Sequence, residues 1–342
     1  SRKRNSRNSR DLFARQWRSL MSDTPRIILH NSDTAPLARW LRASFPHADF
    51  RECDSYDALP SLIESYRPEV VYSVRFAGTP GFPRDALFGP RGPSWVANGG
   101  AGTDHYGQWD QAKTTVTNAA GVAAGMMAEY IFGGFLHFTL DIPGLQRDKG
   151  ARVWNARLVS PLAGKTLLIV GLGHTGQAVA KRAKAFGMTV LGTRARPQRM
   201  DHVDEVHAAS DLPDLLPRAD FIAVSTPLIP PTRGLIGAQE IARMKPGVIL
   251  ADVSRGGVVD QSALHDALIT GHVAAAVLDV FETEPLPQVS PIWALDNVIV
   301  SPHCSSVHAE WEEASFRLFL DNLGRWTRGE KLLNIVDPAR GY

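Results

Sequence analysis

Residues 165–196 constrain the fold more than any other stretch of this 342-residue chain. An apolar run, Thr166–Val170, leads into Gly171-x-Gly173-x-x-Gly176; Val179, Ala183 and Phe186 then recur at helical spacing before a second apolar run at 189–191. That order reads as strand, tight turn, helix, strand. In such a unit the first glycine permits the turn, the second lets backbone approach a pyrophosphate, and the third lets helix pack on strand. The anion would sit at the helix N-terminus, where free N–H groups and the positive dipole end favour it. A glycine triplet alone also occurs as a plain turn. Between two strand-like runs it points to a dinucleotide fold.

The rest of the chain supports an α/β class. Strand-like runs at 27–29, 70–74, 95–97 and 115–117 follow one another, with a helix at 35–45 after the first. The proline- and glycine-rich stretch 80–93 predicts loop. The small-residue turn 98–105 reads either as ordinary turn chemistry or as exposed N–H groups able to hold a carboxylate. A long apolar helix at 125–140 precedes a polar segment containing Trp154, and further strands are expected at 221–225, 248–253, 274–280 and 298–300. Beyond Asn322 no strand alternation continues, which predicts an exposed tail lying on one domain.

Charge and cysteine content exclude several classes. The net charge of +2 belongs to residues 1–20, which carry seven basic side chains against Asp11 and leave the body net acidic. This basic tail is expected to be disordered: sequence upstream of a start at Met21, or else a presequence or interaction arm. An acidic body argues against nucleic-acid binding. No apolar run approaches the roughly 18 residues a membrane span needs. Cys53 and Cys304 are too few for a disulfide framework, so the cytoplasm is the expected compartment. No cluster has metal-ligand spacing, and no metal site is expected.

The end of the second strand decides between the dinucleotides, because an acidic side chain there would accept the ribose hydroxyls of NAD. Here stand Thr193, Arg194 and, two residues on, Arg196. Two arginines and a hydroxyl suit a 2′-phosphate, whereas a solvated basic loop is the plainer reading. NADP is the expected cofactor, with NAD possible.

Beyond the glycine turn, GLGHTG (171–176), STPLIPPTRGLIG (225–237), DVSRGGVVD (252–260), LDVFETEPLP (278–287) and SPHCSS (301–306) follow in fixed order. Together they resemble the D-isomer-specific 2-hydroxyacid dehydrogenase family, glyoxylate/hydroxypyruvate reductases among its members, over nearly all of residues 25–335. The resemblance implies a Rossmann dinucleotide-binding domain, residues 119–303, inserted in a discontinuous flavodoxin-like catalytic domain, 21–118 and 304–342. It implies Arg255, Glu284 and His303 as the catalytic set, and chemistry asks for the same types. An arginine fork suits a carboxylate beside a carbonyl. A histidine can protonate the alkoxide oxygen left by hydride transfer, and a carboxylate can orient it.

The same resemblance implies cofactor contacts from Gly171, Gly173, His174, Thr175, Gly176, Ser225, Thr226, Pro227, Thr232, Val253 and Ser254. It places Asp279 at the nicotinamide carboxamide, though Asp279 reads equally as a strand-end carboxylate. It assigns the substrate to Arg255, to the backbone of Ala101 and Gly102, and to Trp154. In some members an aromatic at that position reaches a neighbouring subunit; otherwise Trp154 would cover its own subunit's core. The helix 124–140 matches the family's dimer-forming element, which implies a homodimer. Cys304 is expected to be a packing residue. Asp252 stands where the family commonly has Asn, and Asp141 where an Arg often follows the long helix. The expected activity is NADPH-dependent reduction of a small 2-oxo acid to its D-hydroxy acid. The alternatives are an NAD-dependent phosphoglycerate-type dehydrogenase and a dinucleotide-sensing, corepressor-like binding protein.

Overall fold

The computed structural model describes residues 24–76, 79–338 and 340. The basic segment 1–20 lies outside the described residues. In chain order the elements are β1 (Arg26–His30), α1 (Ala35–Ser44), β2 (Asp49–Cys53), α2 (Ala58–Tyr66), β3 (Val70–Ser73), α3 (Arg84–Phe88), β4 (Trp95–Asn98) and β5 (Thr115–Thr117). Then follow α4 (Ala124–Thr139), α5 (Ile142–Ala151), β6 (Thr166–Val170), α6 (His174–Ala185), β7 (Thr189–Arg194), β8 (Glu205–Ala208), α7 (Leu212–Leu215) and β9 (Phe221–Val224). The last are α8 (Ala238–Arg243), β10 (Val248–Asp252), α9 (Gln261–Ile269), β11 (Val273–Leu278), β12 (Val298–Val300) and α10 (Trp311–Thr327). They form two compact units, one from the described residues up to Val122 and from Ala309 onward, the other from Ala123–His308.

The first unit is a parallel sheet in the order β2-β1-β3-β4-β5. Successive strand residues point to opposite faces, so adjacent apolar residues feed two separate cores. Ile27, Leu29, Tyr72 and Trp95 lie on one face under Leu37 and Leu41 of α1 and Phe316, Phe319, Leu323 and Trp326 of α10. Ile28, Val71, Val96 and Val116 lie on the other, under Leu59 and Ile63 of α2 and Leu87 of α3.

Two expectations are corrected in this unit. Stretch 80–93 is not all loop, because its prolines flank Arg84–Phe88 without entering it and one helical turn buries Leu87 completely. Nor is the end an exposed tail over 322–338: Leu332 and Val336 are buried, Ile335 bridges Thr117, and Asn334 Nδ2 donates to the carbonyls of Asn118 and Ala120.

The second unit is a seven-stranded parallel sheet in the order β12-β11-β10-β9-β6-β7-β8. Leu168, Ile222 and Leu250 face α8 and α9, while Leu167, Ile169 and Ala251 face α4 and α6. Because β6 has β7 on one side and β9 on the other, the chain reverses direction across the sheet there. The carboxyl ends of β6 and β9 therefore open a crevice at a topological switch point. The polar segment expected after the long helix contains α5. Among the described residues no helix is long and apolar enough to cross a membrane, and no His/Cys/Asp/Glu group could hold a metal ion.

Candidate active site

At the end of β6 the three glycines meet three different steric demands. Gly171 adopts φ +103°, a region side chains rarely enter, and a Cβ on it would lie 3.0 Å from the amide nitrogen of Thr226. Gly176 sits so close to the turn that a Cβ would fall 2.2 Å from the carbonyl oxygen of Gly171. Gly173 has open space where its Cβ would be and precedes a twelve-residue helix without side-chain capping. The cradle is therefore tight where helix meets strand and open where a pyrophosphate would lie against the first N–H groups of α6, so these residues fit a dinucleotide.

The neighbouring residues extend this cradle. His174 is exposed, and the Thr175 hydroxyl lies on the Met127 sulfur at 3.6 Å. Ser225 Oγ donates to the carbonyl of Gly171 at 2.9 Å, tying the end of β9 to the glycine turn. The Thr232 hydroxyl donates to the Pro227 carbonyl at 2.6 Å and accepts from the Ile229 N–H, so it braces loop 227–232 from within. At the end of β7, Thr193 is buried. Arg194 is half-buried against the Met200 sulfur, and Arg196 is exposed.

A second constellation stands at the ends of β10, β11 and β12. Gly256 passes so close to the next loop that a Cβ would meet the Phe281 carbonyl oxygen at 1.9 Å, which presses the arginine loop onto the segment carrying Glu284. Arg255 Nη1 donates to the Ser254 carbonyl at 2.8 Å. Glu284 accepts from the Phe281 N–H at 3.0 Å and from His303 Nδ1 at 2.8 Å. Burial alone would raise the Glu284 carboxyl, but these two bonds and the charges of His303 and Arg255 outweigh it and hold the group below its usual value. Arg255, Glu284 and His303 are thus brought together, with the imidazole oriented by the carboxylate through Nδ1.

Asp279 builds the loop on which the histidine stands. Its Oδ1 accepts from Ser301 Oγ (2.6 Å), Cys304 N (2.8 Å) and Ser305 N (3.0 Å), and its Oδ2 from Ser305 Oγ (2.5 Å). The Asp279 and Ser301 carbonyls each accept from the His303 N–H at 3.0 Å. Tyr130 reaches in from α4 to bond Ser301 Oγ at 2.6 Å. Tyr130, Ser301 and Ser305 went unnoticed in the sequence. The two serines that flank the histidine in SPHCSS were the available signal.

In the first unit, three successive carbonyls of the turn after β4 are drawn inward by side-chain amides. Asn98 Nδ2 donates to the Gly100 and Gly102 carbonyls, and Asn118 Nδ2 to that of Ala101. Among the described residues none accepts from the N–H groups of Gly100, Ala101 or Gly102. Such a row of open donors suits an anion.

Other residues fall where sequence reasoning did not place them. Cys304 is exposed, so the packing reading is corrected: its amide is held by Asp279 while its side chain is left outside. Trp154 is fully exposed, which excludes a role in covering its own core. Asp141 acquires an account, since it caps α5 by accepting from the Gly144 N–H and pairs with Arg157, which also pairs with Asp148. Ser254 turns both its N–H and its hydroxyl toward Asp252, and Val253 is buried in the strand end.

The family model described as D-isomer specific 2-hydroxyacid dehydrogenase, NAD binding domain, matches residues 132–305. The chain is 38% identical to D-3-phosphoglycerate dehydrogenase of Methanocaldococcus jannaschii over 225 residues, covering 65% of this chain and 43% of the relative. It thus spans less than half of that relative's length. It is 36% identical to glyoxylate reductase of Korarchaeum cryptofilum over 229 residues, 65% of this chain and 69% of the relative. Among solved structures, a D-isomer specific 2-hydroxyacid dehydrogenase from Xanthobacter autotrophicus, in complex with NADPH and MES, superposes with a TM-score of 0.79. It shares 32% identity and covers 93% of this chain and all of that one.

Proposed function

Because the chain belongs to the D-isomer-specific 2-hydroxyacid dehydrogenase family, we propose that it is an NADPH-preferring reductase of small 2-oxo acids, glyoxylate or hydroxypyruvate in kind, yielding D-2-hydroxy acids. The observation that carries this reading is the 2.8 Å bond from His303 Nδ1 to Glu284, held beside Arg255 at the strand ends that flank the dinucleotide crevice.

When bound, the reduced nicotinamide supplies a hydride to the substrate's carbonyl carbon. The protein does the rest. Arg255 engages the carboxylate and carbonyl oxygens with charge-assisted bonds; in the first unit, the open N–H groups of Ala101 and Gly102 are donors of a kind that suits a carboxylate. His303, protonated on Nε2, gives that proton to the developing alkoxide oxygen. Glu284 keeps the ring turned through its bond to Nδ1. On this reading Asp279 acts chiefly through His303, because the loop already occupies both of its oxygens.

For the dinucleotide, Arg194 and Arg196 replace the acidic side chain that would accept ribose hydroxyls, which supports NADPH, as does the complex of the Xanthobacter relative. A cytosolic homodimer is part of the same proposal: both cysteines are free thiols, and Trp154 and Leu158 stand fully exposed for a second copy to cover.

The test is a panel of glyoxylate, hydroxypyruvate and 3-phosphohydroxypyruvate, each run with NADPH and NADH. We expect kcat/KM with NADPH to exceed that with NADH by about tenfold or more. A ratio reversed by that factor, with 3-phosphohydroxypyruvate preferred, would establish the phosphoglycerate-type reading that the Methanocaldococcus relative favours. Tight NADPH binding without turnover of any 2-oxo acid would mean a sensing protein instead.

A further inference from the structure

Asp252, the last residue of β10, is only 4% exposed, and nothing in the proposed chemistry uses it. Its Oδ1 accepts two bonds from Ser254, from the N–H at 2.9 Å and from the hydroxyl at 2.5 Å. The carbonyl of Ser254 in turn accepts from Arg255 Nη1 at 2.8 Å. The buried carboxylate therefore shapes the turn, and the turn holds the guanidinium. Among the described residues no donor reaches Asp252 Oδ2, which leaves that oxygen free to carry a proton.

We propose that Asp252 is a positioning residue for Arg255, holding the arginine's loop firmly when ionised and loosely when protonated. This rests on the reading of Arg255 as the partner of the substrate's carboxylate.

The charges around Asp252 are few. From just past the end of β11 comes Asp279, and from its own loop Arg255; on the β9 side Val224 lies opposite and brings no charge. Burial, with Asp279 adding to it, raises the Asp252 carboxyl to about 7, against the two Ser254 bonds and the Arg255 charge that lower it. The group thus changes state near neutrality, ionised above and protonated below. Protonation at Oδ2 turns Oδ1 into a neutral acceptor, and bonds to a neutral acceptor are roughly half as strong as bonds to a charged one. The loss passes to Arg255 through the Ser254 carbonyl.

In catalysis this predicts a split. As pH falls from about 8 to about 6, KM for glyoxylate should rise about fivefold as the Arg255 loop loosens. Any pH dependence of kcat has its own source in the proton transfer, so the two parameters should move independently. Asp252→Asn keeps the Oδ1 acceptor and the volume but cannot ionise. In that variant KM should be flat across the same range.

The experiment measures kcat and KM for glyoxylate with NADPH from about pH 6 to about pH 8.5 in the native protein and in Asp252→Asn. Alongside, hydrogen–deuterium exchange of the 252–258 peptide is followed at both ends of that range, corrected for intrinsic exchange. Supporting results are an acid rise in KM and faster acid-side loop exchange in the native protein, both absent from the variant. The proposal is overturned if Asp252→Asn keeps the acid rise, or if native loop exchange is the same at both ends. Should the protein reduce no 2-oxo acid, the functional reading falls, and the exchange comparison alone decides the role of Asp252.

Discussion

His303 holds a backbone conformation that a non-glycine residue adopts only under constraint, φ +52°. The constraint is visible in the bonds that Asp279 takes from Ser301, Cys304 and Ser305, which fix the chain on both sides of the histidine. Glu284 then selects the ring's orientation from the side. Under the proposed chemistry, Glu284→Gln removes the carboxylate that holds the ring through Nδ1. The variant's kcat at neutral pH should drop about tenfold or more while KM for glyoxylate stays near native. A variant that keeps the native kcat would sink the pairing as a functional one. Asp279 and Asp252 illustrate how two carboxylates on adjacent strand ends can differ: both oxygens of the first are taken by the loop, while only one oxygen of the second accepts a bond.

At the scale of elements, the β6 turn and α6 separate binding from stability. Gly176→Ala places a methyl against the backbone carbonyl of Gly171 and must push α6 off the turn. We expect it to cost about 1–3 kcal/mol of stability and to weaken NADPH binding at least tenfold. Gly173→Ala meets no atom within 4 Å and should leave the melting temperature near native while still weakening NADPH, because its methyl stands in the cradle. Melting curves and fluorescence titration of both variants check the contrast, and equal loss of stability in the two would refute it.

The glycine turn and the buried central strands were legible in the sequence, since strands covered on both faces read as continuous apolar runs such as 167–170 and 221–224. The two strands that escaped, β2 (DFREC) and β8 (EVHA), are sheet edges whose charged side chains face water and break that pattern. Helix α10 escaped for another reason. Phe316, Phe319, Leu323 and Trp326 are spaced by three and four residues, but charged residues alternate densely among them. At the candidate site the residue types of Arg255, Glu284 and His303 were readable. The bonding of Asp279 was not, because its partners lie more than 20 positions away and meet it only through the parallel sheet.

On the scale of the whole molecule, the segment after α5 is the most conspicuous surface. Arg157 is pinned between Asp141 and Asp148, and on either side of it Trp154 and Leu158 project fully into solvent. If a second copy covers them, Trp154→Ala with Leu158→Ser should weaken self-association by about two orders of magnitude. Sedimentation velocity across a concentration series reads this directly. A native chain that sediments as a monomer at micromolar concentration would end the homodimer reading.

The first unit's core has a consequence for how the chain is made. Ile27, Leu29, Tyr72 and Trp95 have α1 from the start but wait for α10 to complete their cover, and the whole of Ala123–His308 is synthesised in between. At ordinary translation speeds of about 5–20 residues per second, that leaves the sheet face covered by α1 alone on the ribosome for roughly 10–40 s. Any stop or cleavage before Trp311 would make that exposure permanent, so α10 acts as a late clasp on a part of the chain made well before it.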